Sequence, residues 1–274
     1  MEPTTVGLDA FPFHIHWDVL GVIVALAGGY IYSLVRLAPD HAPASEPAFT
    51  RRQVASFTLG LVLFWLVRTW PIHDIGEGSL FTFHMIEHLT LALAVPPLLL
   101  KGTPWWLMRM LVLPIMSVVK FLTKPLIALV LFNVTLAALH VPAVIELMLD
   151  SEPAHLLLHL LLVVTAILMW WPVIGPIPDI PKLPPLYAMG YLFLQSLVPT
   201  VPASFLTFAD GVVYKAYEDL PRLWGLDVRT DQLIAGLIMK IGGGFFLWAI
   251  ITYIFFSWAA EEERANRPPE VRVR

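Results

Sequence analysis

Cysteine is absent from the 274-residue chain. Its absence excludes disulfides, thiolate metal sites and dithiol redox chemistry. Charge is scarce as well. Asp, Glu, Lys and Arg make up 14% of the residues, where a soluble domain carries about 25%. No strongly basic stretch is present and the net charge is −4, so nucleic acid is not an expected partner. Hydrophobic residues fill the gap at 58%, against roughly 45–50% in a water-soluble globule. A mean hydropathy of +0.74 excludes both an ordinary soluble fold and a disordered chain, which would be poor in apolar residues.

A bilayer core of about 30 Å needs roughly 20 apolar residues per helix. Seven segments qualify: 18–36, 53–70, 80–100, 125–148, 154–172, 186–207 and 231–257. The first is preceded by Glu2 and Asp9 and no Lys or Arg, the wrong sign for a signal peptide, so it reads as a retained helix. Basic residues orient the set. With the N-terminus outside, the inner segments carry Arg36, Arg51, Arg52, Lys101, Arg109, Lys120, Lys124, Lys182, Arg264, Arg267, Arg272 and Arg274, and the outer ones only Lys215, Arg222 and Arg229. Residues 105–122 are apolar but hold Arg109, Pro114 and Lys120, and read as a helix along the inner interface. The expectation is an all-α polytopic membrane protein in contact with lipid. It has seven transmembrane helices, N-terminus outside and C-terminus cytoplasmic. Residues 1–262 form one domain, and 263–274 a charged cytoplasmic tail.

On this topology every histidine except His41 falls in the outer half. His84 and His88 stand one turn apart in the third span, and His155 and His159 repeat the spacing in the fifth. Each pair occupies one helix face. His88, His140 and His159 come out roughly 9–12 Å below the outer ends of their spans. Polar side chains in a span face a bundle interior or a cavity. Two such pairs with His140 at matching depth fit a metal site. Imidazole without thiolate suits copper, zinc, iron or nickel, and Met85 tilts the choice toward Cu(I). The competing reading is helix–helix hydrogen bonding. His14-Ile15-His16 and His73-Asp74 are weaker patterns of the same chemistry.

Asp231, at the outer end of the seventh span, reads equally as the N-cap of its own helix or as a group orienting a histidine. Glu87 and Lys240 are ionisable residues about 10 Å and 13 Å below their span ends, and opposite charges at like depth read as an ion pair. Pro142, two residues after His140, removes a backbone N–H and predicts a kink beside that histidine.

The string FTFHMIEHLTLALAVPPLLLKGTPWW at 81–106 resembles a signature of the CtaG family of cytochrome c oxidase assembly proteins. The resemblance continues through LHVPAV (139–144), HLLLH (155–159), WWPVIGPIP (170–178) and TDQLIAGLIM (230–239), and covers roughly 17–262. It implies a multi-pass protein of the bacterial plasma (inner) membrane that assembles a haem–copper oxidase and handles its copper. The implied partners are the oxidase subunits and an extracytoplasmic copper donor. The positions that carry over are His84, Met85, His88, His140, His155, His159, Asp231 and Gln232. Glu87 and Lys240 stand where the family has Gln and Trp. The expected role is metal handling rather than catalysis. Three alternatives are an intramembrane zinc-dependent hydrolase with Glu87 as base, a bis-histidine haem carrier, and a metal-free scaffold. Against the hydrolase, Glu87 precedes the second histidine instead of following the first.

Overall fold

The computed structural model describes residues 4–266. The chain is helical almost throughout. Its helices, in order, are α1 (Trp17–His41), α2 (Arg51–Gly78), α3 (Phe81–Gly102), α4 (Trp105–Leu122), α5 (Pro125–Leu139), α6 (Pro142–Asp150), α7 (Glu152–Ile174), α8 (Pro185–Phe208) and α9 (Val228–Asn266). Strands β1 (Thr5–Val6) and β2 (Arg222–Leu223) pair in parallel and fasten the N-terminal segment to the loop before α9.

Local chemistry sets the helix ends. At the start of α2, the Thr50 side chain accepts from Gln53 N while Gln53 Oε1 accepts from Thr50 N at 2.8 Å, a reciprocal cap. α5, α6 and α7 carry proline in their first turn, where its missing N–H costs nothing. α7 stops at Gly175, whose φ of +56° suits glycine. A Cβ there would also meet Lys182 N at 2.5 Å.

α3 and α7 are the most buried spans and α1 the least. α3 packs on α2, α7 and α9. The core between them is built from Ala92 and Leu93 of α3, Phe132 of α5, Leu162, Ala166 and Trp170 of α7, and Met239 of α9. Pro96 cannot donate to Ala92 O four residues back. The indole of Trp170 supplies that bond instead, at 3.0 Å, and ties α7 to α3 inside a π-helical turn at Thr90–Ala94. Leu126, Phe205 and Phe245 point outward, 73%, 71% and 72% exposed, as a lipid-facing surface requires. In hydrocarbon a helix satisfies its own backbone, and this apolar helical chain is a multi-pass membrane protein.

Among the described residues seven helices are long and apolar enough to cross a membrane, the expected number, but the set differs in two places. α4, expected at the interface, passes the length and apolarity test although a 3-10 turn at Leu113–Ile115 interrupts it. The segment expected as one span over 125–148 is instead the pair α5 and α6, bent by 71°. The bend falls at His140 and Val141, just before Pro142, where the sequence predicts a kink. α9 runs through to Asn266, so the expected boundary at 262 lies within a helix. Residues 267–274 of the expected tail lie outside the described residues.

Candidate metal centre

The paired histidines meet. The rings of His84 and His88 stand 4.2 Å apart between centroids, as do those of His155 and His159. Across the α3–α7 contact His88 Nε2 lies 2.6 Å from His159 Nε2. One ligand atom each from His84, His88 and His159 falls within a 4.8 Å spread, and the same holds for Glu87, His155 and His159. All five side chains are buried.

The hydrogen bonds constrain the tautomers. Arg68 Nη1, a donor only, sits 2.6 Å from His159 Nδ1, so that nitrogen accepts. The His159 proton is then on Nε2 and points to His88 Nε2. This leaves the His88 proton on Nδ1, which has no hydrogen-bond partner among the described residues, and neither nitrogen of His84 has one. Each unsatisfied buried group costs about 1–3 kcal/mol. The neutral His84 ring therefore keeps one lone pair without a partner among the described residues, inside a cage of imidazoles, and that suits a metal ligand. With metal–nitrogen bonds of about 2.0–2.1 Å, an ion held by all three rings would replace the His88–His159 hydrogen bond, and His159 would shift its proton or release Arg68 to offer a lone pair.

Other expected ligands stand beside the cluster. His140 donates through Nδ1 to Leu136 O at 2.7 Å, and its ring centroid is 6.3 Å from that of His88. Met85, His88 and His140 all face a small cavity of about 30 Å³. His140 and Met85 thus line the approach to the cluster and do not join its tightest group.

Asp231 caps a helix, but not its own. Its Oδ2 and Oδ1 accept from Phe81 N at 2.8 Å and Thr82 N at 2.9 Å, the first N–H groups of α3. It also takes a 2.9 Å hydrogen bond from the buried Arg222. Its own helix is capped by Asp227, which accepts from Thr230 N. Gln232 Oε1 accepts from Val213 N and Tyr214 N, and the Tyr214 hydroxyl donates to His140 O at 3.0 Å. Asp231 and Gln232 therefore position α3 and the His140 bend without touching an imidazole.

The expected Glu87–Lys240 ion pair does not form. Lys240 is exposed and lies within a π-helical turn at Ile238–Gly242. Glu87 instead accepts from Arg68 at 2.6 Å and pairs with His73 Nδ1 at 3.0 Å. Equal depth does not fix which way a side chain faces around its helix. Glu87 lies on the face of α3 that meets the end of α2, where the helix breaks between Val67 and Ile72.

That break brings in residues the sequence reading passed over. No spacing or motif in the sequence marks Arg68, which lies at the end of the apolar run 53–70. His73 and Glu77, one turn apart, form a third group with His155, whose Nδ1 lies 2.7 Å from Glu77 Oε1. The i, i+4 spacing of His73 and Glu77 is the signal that could have found it. His14 and His16 join Asp74 in a fourth group nearer the surface.

An uncharacterized protein of Mycobacterium leprae is 24% identical over 267 residues, covering 88% of this chain and 38% of its own length. Uncharacterized proteins of Mycobacterium bovis and Mycobacterium tuberculosis are each 24% identical over 243 residues, 79% of this chain and 37% of theirs. The chain thus spans under two fifths of the length of these curated relatives. No solved structure matches it. The cytochrome c oxidase caa3 assembly factor family matches residues 28–261, and the chain belongs to that family, Caa3_CtaG.

Proposed function

We propose that this protein is an assembly factor for a haem–copper oxidase of the bacterial plasma membrane, and that it holds copper at the buried imidazole cluster for delivery to the oxidase. The reading rests on one observation: His84, His88 and His159 bring one ring nitrogen each within a 4.8 Å spread, around a buried His84 ring that has no hydrogen-bond partner among the described residues. The family match adds the oxidase as destination. Imidazoles with Met85 close by suit copper, and the role needs metal exchange, not turnover. An extracytoplasmic donor supplies the ion on the side to which the excess of inner Lys and Arg assigns the histidines, and an oxidase subunit receives it laterally.

The hydrolase alternative is weaker because Glu87 is already engaged by Arg68 and His73, which leaves it poorly placed as a free base. The haem alternative is weaker because His88 Nε2 and His159 Nε2 lie 2.6 Å apart, too close for an iron to be ligated between the facing rings.

The test uses the full chain without a histidine tag, purified in detergent, loaded with copper or zinc and washed with a chelator. Wild type should retain copper, and His84→Ala/His88→Ala should lose it. Equal retention by the two proteins would remove the site.

A further inference from the structure

The His14/His16/Asp74 group is separate from the buried cluster, and both histidines precede the segment matched by the family. His16 Nε2 lies 3.0 Å and His14 Nε2 3.6 Å from Asp74 Oδ1, with the two rings 4.3 Å apart. Asp74 Oδ2 and His16 Nδ1 are buried atoms without a hydrogen-bond partner among the described residues. The arrangement is built, not incidental. Trp70 Nε1 donates to Phe11 O at 2.7 Å, Phe13 packs edge-on against Trp70, and the β1–β2 pairing fixes the chain just upstream. Together they hold the N-terminal segment against the end of α2.

This group opens into a cleft of about 670 Å³ shared with His73, Glu77 and His155. Asp18, Asp74, Glu77 and Glu152 line the cleft, with Arg68 the only Lys or Arg among its lining residues. Carboxylates concentrated in a concave site attract cations.

From the cleft inward, the ligand groups are neighbours and then overlap. The His16 and His73 rings are 5.4 Å apart, and those of His73 and His155 5.5 Å. His155 belongs both to the group with His73 and Glu77 and to the group with Glu87 and His159. His159 in turn belongs to the group with His84 and His88.

We infer that His14, His16 and Asp74 form a surface capture site for a d-block metal cation, and that His73, Glu77 and His155 pass the ion from it to the buried imidazoles. Two imidazoles and a carboxylate suit copper(II) or zinc. The first step passes between the neighbouring rings of His16 and His73, and from His155 inward a residue shared between successive groups lets one bond form before another breaks. Its oxidation state does not change along this path. The inference rests on the reading of the buried cluster as a metal site.

The experiment uses the tag-free full chain in detergent and Cu(II), with metal content measured before and after a chelator wash. Loading of the chelator-resistant fraction is timed at limiting metal. Wild type should show a weakly held equivalent with mixed nitrogen and oxygen ligation by electron paramagnetic resonance, and a resistant one. His14→Ala/His16→Ala should lose the weak equivalent and keep the resistant one. It should also fill the resistant site about tenfold more slowly, because the rings that hold the ion in the cleft are gone, a loss of roughly 1.4 kcal/mol of prior binding. Asp74→Asn should weaken the same equivalent with the histidines in place. His84→Ala/His88→Ala should keep the weak equivalent and lose the resistant one. A His14→Ala/His16→Ala protein with both equivalents and the wild-type rate would overturn the capture site. Loss of the weak equivalent at an unchanged rate would overturn the path. A wild type with no resistant copper would overturn the buried-site reading and the path with it, leaving the surface site to be judged on the weak equivalent alone.

Discussion

Arg68 donates to Glu87 at 2.6 Å with both side chains buried, 7% and 1% exposed. The same guanidinium reaches His159 Nδ1, so one cation neutralises the carboxylate between the two α3 histidines and keeps the His159 proton on Nε2 while that contact holds. Removing one member of a buried pair strands the other, at a cost of about 3–5 kcal/mol. Arg68→Met should therefore lower stability by that order, and Arg68→Met with Glu87→Gln should recover a large part of it. Lys240→Met, which touches no ion pair, should shift stability by no more than roughly 0.5 kcal/mol. Unfolding in mixed micelles measures these variants and Glu87→Gln alone, which completes the cycle. Additive losses for Arg68 and Glu87 would show that the two are not coupled.

Asp231 links three things: the first N–H groups of α3, the buried Arg222 and the start of α9. Asp231→Ala removes a cap, worth about 0.5–2 kcal/mol, and leaves Arg222 without its carboxylate. The combined loss should exceed that of Asp227→Ala, which removes only an exposed cap on α9. Because His84 lies in the first turn of α3, Asp231→Ala should also reduce copper retention. Thermal unfolding and metal content, measured on both variants, test the two effects.

What the sequence displayed, and what it hid, divides along a physical line. The pairs His84/His88 and His155/His159 were legible because i, i+4 spacing in an apolar run forces one helix face. Pro142 was legible as a bend because a missing N–H acts on its own helix. Asp231 was not legible, because its carboxylate caps a helix 150 residues away in sequence. The partner of Glu87 was misread because depth along a span leaves the angle around it open, and because Arg68 emerges from a helix break that hydropathy does not reveal. Glu77 escaped because it lies just outside the apolar window. α4 and the α5–α6 bend show the same limit: apolar length alone does not say which segments cross.

Glycine positions test the α2–α3 contact. A Cβ on Gly102 would lie 2.7 Å from Phe57 Cα, against the α2 backbone, which cannot swing aside. Gly102→Ala should destabilise by about 1–3 kcal/mol, the usual cost of overpacking. Gly21 on α1 has nothing within 4 Å of the same atom. Gly21→Ala should be neutral or stabilising by up to about 1 kcal/mol through helix propensity. Equal effects at the two sites would mean that α2 and α3 do not pack as described.

Copper retention should depend on pH with a definite sign. An imidazole binds metal only through a neutral ring, so protons and metal compete for the same lone pair. An ordinary imidazole protonates near about 6.5. Retention should be complete in mildly alkaline buffer and fall as the pH is lowered through that range and below, never the reverse. The drop should be steeper for the buried cluster, where several rings release protons together, than for any single-histidine contact. Glu87→Gln tests the electrostatic part separately. It removes a negative charge from beside His159 while Arg68 stays, so copper affinity should fall about tenfold, equivalent to roughly 1.4 kcal/mol. Equilibrium competition with a chelator of known affinity, run across pH on wild type and Glu87→Gln, gives both quantities. Affinity that is flat with pH, or higher in Glu87→Gln, would mean the ion is not held by these rings beside this carboxylate.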